Sequence, residues 1–442
     1  MSGPFDFSDE RPVDQRPGEP RAFEQRPVDD RPTVPTSDTP SEARERPFLV
    51  VTVVGALLGV LFSSVSTHDF ISHLDRQVHS IHCSLLPIGG ASMGESGCRA
   101  VMMSPYSSMF RESLWGGLPI SLLALAVFAY LTMRAVQMWL AGGVTKRETK
   151  FLVAAAALPV LMSCVYAYVA IALVGAVCKL CVGVYVASAV TLAGAVLAHT
   201  KADVDDGYEA PTGLYVRWFA EGCLYVAVLT MFYVLFAPTS EKSVKGCGTL
   251  VKKDEPTVLF DLGSGKGTPA LAVLDPLCPA CKAFDERLLA SDLVERLDMR
   301  AVVFPLDASC NWMLKDSLHP GACTVSEAML CDKEKAEDVL AFAFANQKDL
   351  MALAEKSDAD LRRRLEKEFP HVKGCLGTPR VKNLVNKSLR FGVANALPVL
   401  TPQLFIGERR VCDEDTDLGL EYTIARMLDG GDEKPKKKRG AR

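Results

Sequence analysis

Six of the fourteen cysteines in this 442-residue chain fall in pairs whose spacing suits thiol–disulfide chemistry. Cys278-Pro-Ala-Cys281 stands between a strand-like run, LAVLDP at 271–276, and a helical pattern over about 280–297. A cysteine at a helix N-terminus meets the positive end of the helix dipole, so its thiol ionises more readily and becomes a usable nucleophile. The second cysteine, one turn on, can close a disulfide with it or resolve a mixed one. A lone Cys-x-x-Cys could also be half of a zinc site. No second Cys-x-x-Cys follows at zinc-ribbon spacing in this region, and the strand–turn–helix setting favours redox chemistry.

Two further pairs lie earlier in the chain. Cys178-Lys-Leu-Cys181 sits at the junction of two apolar blocks. Cysteines three apart share one helix face, where they could exchange a disulfide or serve as two small buried hydrophobes. Cys83 and Cys98, fifteen residues apart in a polar loop, read on their own as a structural disulfide. Cys164 and Cys223 stand alone in the middles of apolar blocks and read as packing residues. The remaining six, Cys247, Cys310, Cys323, Cys331, Cys375 and Cys412, suffice for three structural bridges, with fifteen pairings open. His68, His73, His79 and His82 crowd the same loop as Cys83, and His79-x-x-His82-Cys83 has ligand-like spacing. We read these histidines as solvated and expect no metal.

The elements that must position these cysteines follow from composition. Residues 1–47 hold eleven acidic residues, seven arginines and many prolines, with arginine every five residues from Arg11 to Arg31. Such a segment buries too little apolar surface to offset chain entropy and reads as a disordered cytoplasmic tail. It is too long and too acidic for the n-region of a signal peptide, so the apolar block after it is a retained anchor. Five apolar blocks follow, at about 48–66, 114–140, 151–176, 179–198 and 216–237, each close to a bilayer span. Polar loop 67–113 separates the first two, and segment 199–237 comprises a linker and the fifth span. Residues 238–431 read as α/β, with strands near 258–260, 271–276 and 301–306, inserted helices over about 320–390, a hairpin turning at Gly407 and a last helix over 416–429. A basic tail, 432–442, ends the chain. A net charge of −4 argues against a nucleic-acid partner.

Two resemblances organise these observations. The strand–CPAC–helix unit with Thr401-Pro402 opening a later strand resembles thioredoxin-like domains, which hold that proline in cis opposite the active disulfide. The stretch from Cys98 through Ser104 and Ser107 to Leu114-Trp-Gly-Gly-Leu-Pro119, with Cys83 before it and Cys178-Lys-Leu-Cys181 and Tyr185 after it, resembles the vitamin K epoxide reductase (VKOR) family. That family carries two loop cysteines, a Ser or Thr six residues after the second, and a later membrane Cys-x-x-Cys. The Cys83–Cys98 spacing is wider than the family pattern. The resemblance covers about 48–198, and the bacterial form fused to a thioredoxin-like domain would extend it through most of the chain. It implies a membrane all-α unit of five transmembrane helices with a four-helix bundle core, plus an α/β thioredoxin-like domain with a helical insertion. It further implies a quinone (ubiquinone or menaquinone) as electron acceptor, bordered by Ser104 and Tyr185, with Cys83, Cys98, Cys178, Cys181, Cys278 and Cys281 as the redox relay and Pro402 beside its outermost pair.

Topology offers an internal check. With the tail cytoplasmic, five spans bring loop 67–113, the Cys178–Cys181 junction and the soluble region to one side, as direct thiol exchange requires. Arg44, Arg46, Lys146, Arg147 and Lys150 agree with the positive-inside rule, while Lys242, Lys245, Lys252 and Lys253 oppose it. The expectation is a multi-pass protein of a bacterial inner membrane, in contact with lipid and the quinone pool, oxidising periplasmic or secreted clients that carry free thiols. The alternatives are a reductase or isomerase running in the opposite sense, and a thioredoxin-like chaperone merely anchored by its membrane part.

Overall fold

The computed structural model describes residues 46–74, 97–141, 144–202, 212–237, 246–252, 255–262, 266–412 and 415–430. The expected disordered tail through residue 45, Cys83, His79, His82 and the basic tail from 431 lie outside the described residues.

The chain begins with α1 (Arg46–Leu74) and the short α2 (Gly97–Met103). A small antiparallel pair follows, β1 (Ser108–Met109) with β2 (Leu118–Pro119). Next come α3 (Ile120–Ala141), α4 (Lys146–Tyr168) continued by a π-helical turn at Val169–Val174, α5 (Lys179–Lys201) and α6 (Thr212–Phe236). Among the described residues, five helices are long and apolar enough to cross a membrane: α1, α3, α4 with its π turn, α5 and α6. α1 packs against α5 and α3, α4 packs against α5, and α6 lies outside against α3. Leu49 and Ala56 of α1 meet Phe128 and Leu131 of α3, Leu152 of α4, and Ala195 and Ala198 of α5 in a common core. Small side chains at these seams let helix backbones approach, which drives association where lipid removes the hydrophobic incentive. α6 is held by two tyrosine hydroxyls at its ends: Tyr130 donates to the Trp218 carbonyl at 2.6 Å, and Tyr233 donates to that of Gly117 at 2.8 Å.

Two boundaries differ from the sequence reading. The first span does not stop at 66; α1 runs on to Leu74, into the stretch read as loop 67–113. Its polar end residues are sheltered by protein, with Thr67 donating to Ser63 and Ser121 and His73 pairing with Asp417 at 2.8 Å. Polarity therefore marked a buried contact there, not a loop. The second span begins at Ile120 instead of 114, because Leu114–Pro119 turns into the β1–β2 pair.

The C-terminal region is built on β3 (Phe260–Asp261), β4 (Thr268–Leu274), α7 (Pro279–Leu289), β5 (Leu297–Val303), α8 (Ala322–Cys331), α9 (Ala336–Ala345), α10 (Gln347–Lys356), α11 (Asp358–Glu368), α12 (Pro379–Ala394), β6 (Gln403–Ile406), β7 (Arg409–Arg410) and α13 (Leu420–Gly430). Its five-stranded sheet has the order β3-β5-β4-β6-β7, with β4 and β5 parallel and the other pairs antiparallel. Central β4 is buried on both faces of the sheet, which is why Leu271–Leu274 is an unbroken apolar run. Three disulfides brace this region among the described residues: Cys247–Cys412, Cys310–Cys323 and Cys331–Cys375.

Candidate active site

The two Cys-x-x-Cys motifs are built alike. Cys278 is the N-cap of α7, in extended backbone conformation, and its sulfur accepts the Cys281 backbone N–H at 3.4 Å. Proline at the first helical position suits that start, since its missing N–H would have had no partner. Cys178 is likewise the N-cap of α5, and its sulfur accepts the Cys181 N–H at 3.4 Å. This refines the sequence reading of Cys178 and Cys181 on one helix face. The first cysteine caps and the second lies in the first turn, so each motif aims one sulfur at a helix's positive pole.

At α7 the consequence is electrostatic. The hydrogen bond from Cys281, assisted by His319, holds the Cys278 thiol down from its ordinary 9.0 to about 7, against the opposing effects of burial and of Asp275. Burial pushes Cys281 well above the ordinary value. A lowered first thiol beside a raised second one suits a nucleophile with a resolving partner. The Thr401–Pro402 peptide is cis, and the Thr401 carbonyl lies 3.6 Å from the Cys278 sulfur. Only 4% of Cys278 is accessible. The turn is covered by the loop before β6 and by α10, whose Gln347 donates to the Cys278 carbonyl at 2.9 Å. Pro279 and Ala280 form the exposed rim.

At α5 the consequence is proximity. Cys178 lies with its sulfur 3.1 Å from that of Cys98, which is itself disulfide-bonded. A free thiol in contact with a disulfide sulfur is the arrangement that exchange needs. The hydrogen bond with Cys181 draws the Cys178 thiol below its ordinary value, opposed by burial and by Asp69. Two glycines permit this approach. Gly175, at φ 67°, ends the π turn so that the chain can re-enter α5 through Cys178. A Cβ on Gly97 would stand 2.2 Å from the Val177 carbonyl oxygen, so only glycine lets α2 carry Cys98 against this segment.

A cavity of about 560 Å³ opens beside these sulfurs between the helices. Cys98, Cys178 and Cys181 line it, with Ser104, Tyr166 and Tyr185 adding hydroxyls and Asp69 a carboxylate, and the rest of the wall is mainly apolar. The volume and the mix of apolar wall with few polar groups are those of a small-molecule site. A flat apolar molecule with carbonyl oxygens, such as a quinone, fits this lining. Among the described residues no cluster of histidine, cysteine or carboxylate side chains could hold a metal ion.

One guanidinium ties the two cysteine centres together. Arg287, on the CPAC helix α7, donates to the Met103 carbonyl of α2, the Cys98 helix, at 3.3 Å, and pairs with Glu421 of α13 at 2.6 Å. Glu421 also pairs with Arg111 at 2.5 Å, from the turn between β1 and β2. Phe70, Leu74, Met103, Trp115 and Leu418 form the apolar floor under these charges. The CPAC helix and the Cys98–Cys178 contact therefore sit at one end of the helix bundle.

Residues 50–196 match the Vitamin K epoxide reductase family. The VKOR match spans α1 to most of α5, about a third of the chain, and includes Cys83, Cys98, Ser104, Cys178, Cys181 and Tyr185. It supports a multi-pass membrane protein with thiol–disulfide oxidoreductase activity. No curated protein and no solved structure matches the chain.

Several site residues escaped sequence reasoning. Asp69 fell in the stretch read as polar loop 67–113, where an acid carries no mark. Asp275, His319, Arg287 and Glu421 carried none either. Of the loop histidines, His68 and His73 belong to α1, and His73 is buried and paired to Asp417 instead of solvated. Cys164 and Cys223 are exposed on outward helix faces, not packed in the core; a thiol is apolar enough to face lipid.

Proposed function

We propose that this protein oxidises client protein thiols and delivers their electrons to a quinone. The C-terminal region acts as a thioredoxin-like domain. Support comes from the parallel β4–α7–β5 unit with CPAC at its turn, and from the cis Thr401–Pro402 peptide beside Cys278, ahead of β6. A client dithiol reduces the Cys278–Cys281 disulfide and leaves as a client disulfide. The Cys278 thiolate attacks a disulfide formed by Cys83 and Cys98, and Cys281 resolves the mixed disulfide, leaving both loop cysteines reduced. Cys98 then passes the electron pair to a Cys178–Cys181 disulfide by the same exchange. A quinone held in the cavity would supply the final oxidant, taking the electron pair and two protons as Cys178 and Cys181 close again to their disulfide. Ser104 and Tyr185 border the quinone's place in the cavity, and the CPAC side faces the periplasm of a bacterial cell.

The observation that carries this reading is the 3.1 Å sulfur contact between Cys178 and Cys98 at the wall of the cavity. In the full-length protein, Cys181→Ser abolishes quinone reduction while dithiol exchange at Cys278 persists. Unchanged quinone reduction in that variant defeats the relay.

A further inference from the structure

Asp275 precedes Cys278 by one turn of chain and is fully buried. A buried carboxylate is costly unless hydrogen-bonded and charge-compensated. Its two oxygens accept the backbone N–H of Leu277 at 2.7 Å and that of Leu306 at 2.6 Å. Its compensation comes from His319, whose Nδ1 lies 2.8 Å from Asp275 Oδ2, with 14% of the imidazole side chain exposed. His319 is delivered by the 304–321 loop between β5 and α8. That loop is anchored by the His319 N–H on the Leu306 carbonyl and by Asp307, which accepts the Ser317 hydroxyl and the Gly321 N–H. Asp275 also reaches the resolving cysteine, since its backbone N–H points at the Cys281 sulfur at 3.4 Å.

We propose that His319, paired with buried Asp275, is a positioning residue that balances charge at the CPAC turn and sets the pH at which Cys278 becomes a nucleophile. This rests on the reading of Cys278 as the exchange nucleophile. The logic is one of charge sign. An uncompensated Asp275 carboxylate opposes a thiolate forming nearby, whereas an imidazolium bound to it cancels that field and favours the thiolate. The ionisable groups acting on His319 are Asp275 from the β4–α7 turn, Cys278 from the cap of α7, and Asp307 from its own loop, all of which favour its charged form. Burial works against that form, but these groups outweigh it, so the imidazole holds its proton to a higher pH than an ordinary histidine. His319 touches neither client nor quinone; it acts through Asp275 and the thiol.

The test is the pH profile of Cys278 alkylation by iodoacetamide in the reduced full-length protein, read at the Cys278 peptide by mass spectrometry. His319→Gln keeps an N–H donor for Asp275 but removes the charge. Its midpoint moves up by about one pH unit, making alkylation about tenfold slower below the wild-type midpoint. Asp275→Asn with His319→Gln removes both charges, and the midpoint returns towards wild type. A midpoint unmoved by His319→Gln, or a double variant shifted further in the same direction, overturns the proposal and leaves a structural role. By reciprocity, the His319 imidazole titrates at lower pH in Cys278→Ser than in wild type, followed by histidine NMR of the folded protein. Identical titration overturns the proposal without requiring a His319 variant to fold. Wild-type Cys278 with no midpoint below the ordinary thiol value instead defeats the exchange reading itself.

Discussion

At the scale of single residues, two cysteines with the same formal role differ in what surrounds them. Cys278 is held at about 7 by the hydrogen bond from Cys281. Its alkylation rate should rise about tenfold per pH unit up to that value and level off above it. A depressed thiol pKa also stabilises the reduced fold. The stabilisation is fully present above the unfolded value near 9 and is lost as pH falls through about 7. The reduced protein should therefore unfold at a lower temperature at pH 6 than at pH 9 by an increment that Cys278→Ala removes. Scanning calorimetry of the two reduced proteins checks this. Cys178 works by contact instead, since its sulfur already touches Cys98.

At the scale of elements, both Cys-x-x-Cys motifs use one device: a cysteine that caps a helix and accepts an N–H from the next turn. What differs is how the partner disulfide arrives. α2 reaches Cys178 only because Gly97 has no Cβ. Gly97→Ala must push α2 back by about 1 Å, and a misplacement of that size costs about 100-fold in rate. Quinone reduction driven by a small dithiol should fall by about that factor, while alkylation of Cys278 keeps its wild-type pH profile. The end of α1 shows how polar residues can be misread. Thr67 and His73 broke the apolar pattern, yet α1 continues through them because Ser121 and Asp417 partner their side chains.

At the scale of the whole molecule, the proposed relay depends on how the C-terminal region sits on the bundle. Arg287, Glu421 and Arg111 form a buried charge bridge between α7, α13 and the β1–β2 turn, with Arg287 also on the α2 carbonyl of Met103. Removing one member of such a buried set costs about 3–5 kcal/mol, because the remaining charge is stranded. Glu421→Gln should loosen this docking. Electron transfer from a client dithiol to quinone then falls by about tenfold or more, since positioning is lost. Quinone reduction by a small dithiol acting directly on Cys98 stays near wild type. Equal loss in both assays would place Glu421 in general folding instead.

The local pattern of residues was enough to locate the five spans, the first of them eight residues short at its end, the strand–CPAC–helix unit and the hairpin at Gly407. These are properties of apolar run length, periodicity and short spacing, which a chain carries in any conformation. Tertiary structure alone decided that Cys98 meets Cys178, eighty residues away, that His319 answers the charge of Asp275 across forty-four, and that Arg287 joins Glu421 across 134. It also decided which one of the fifteen pairings the bracing cysteines adopt, and that Cys278 is covered. Such contacts leave no local imprint. Each pairs groups whose individual positions look ordinary, and their energy appears only once burial removes the water that would otherwise satisfy them.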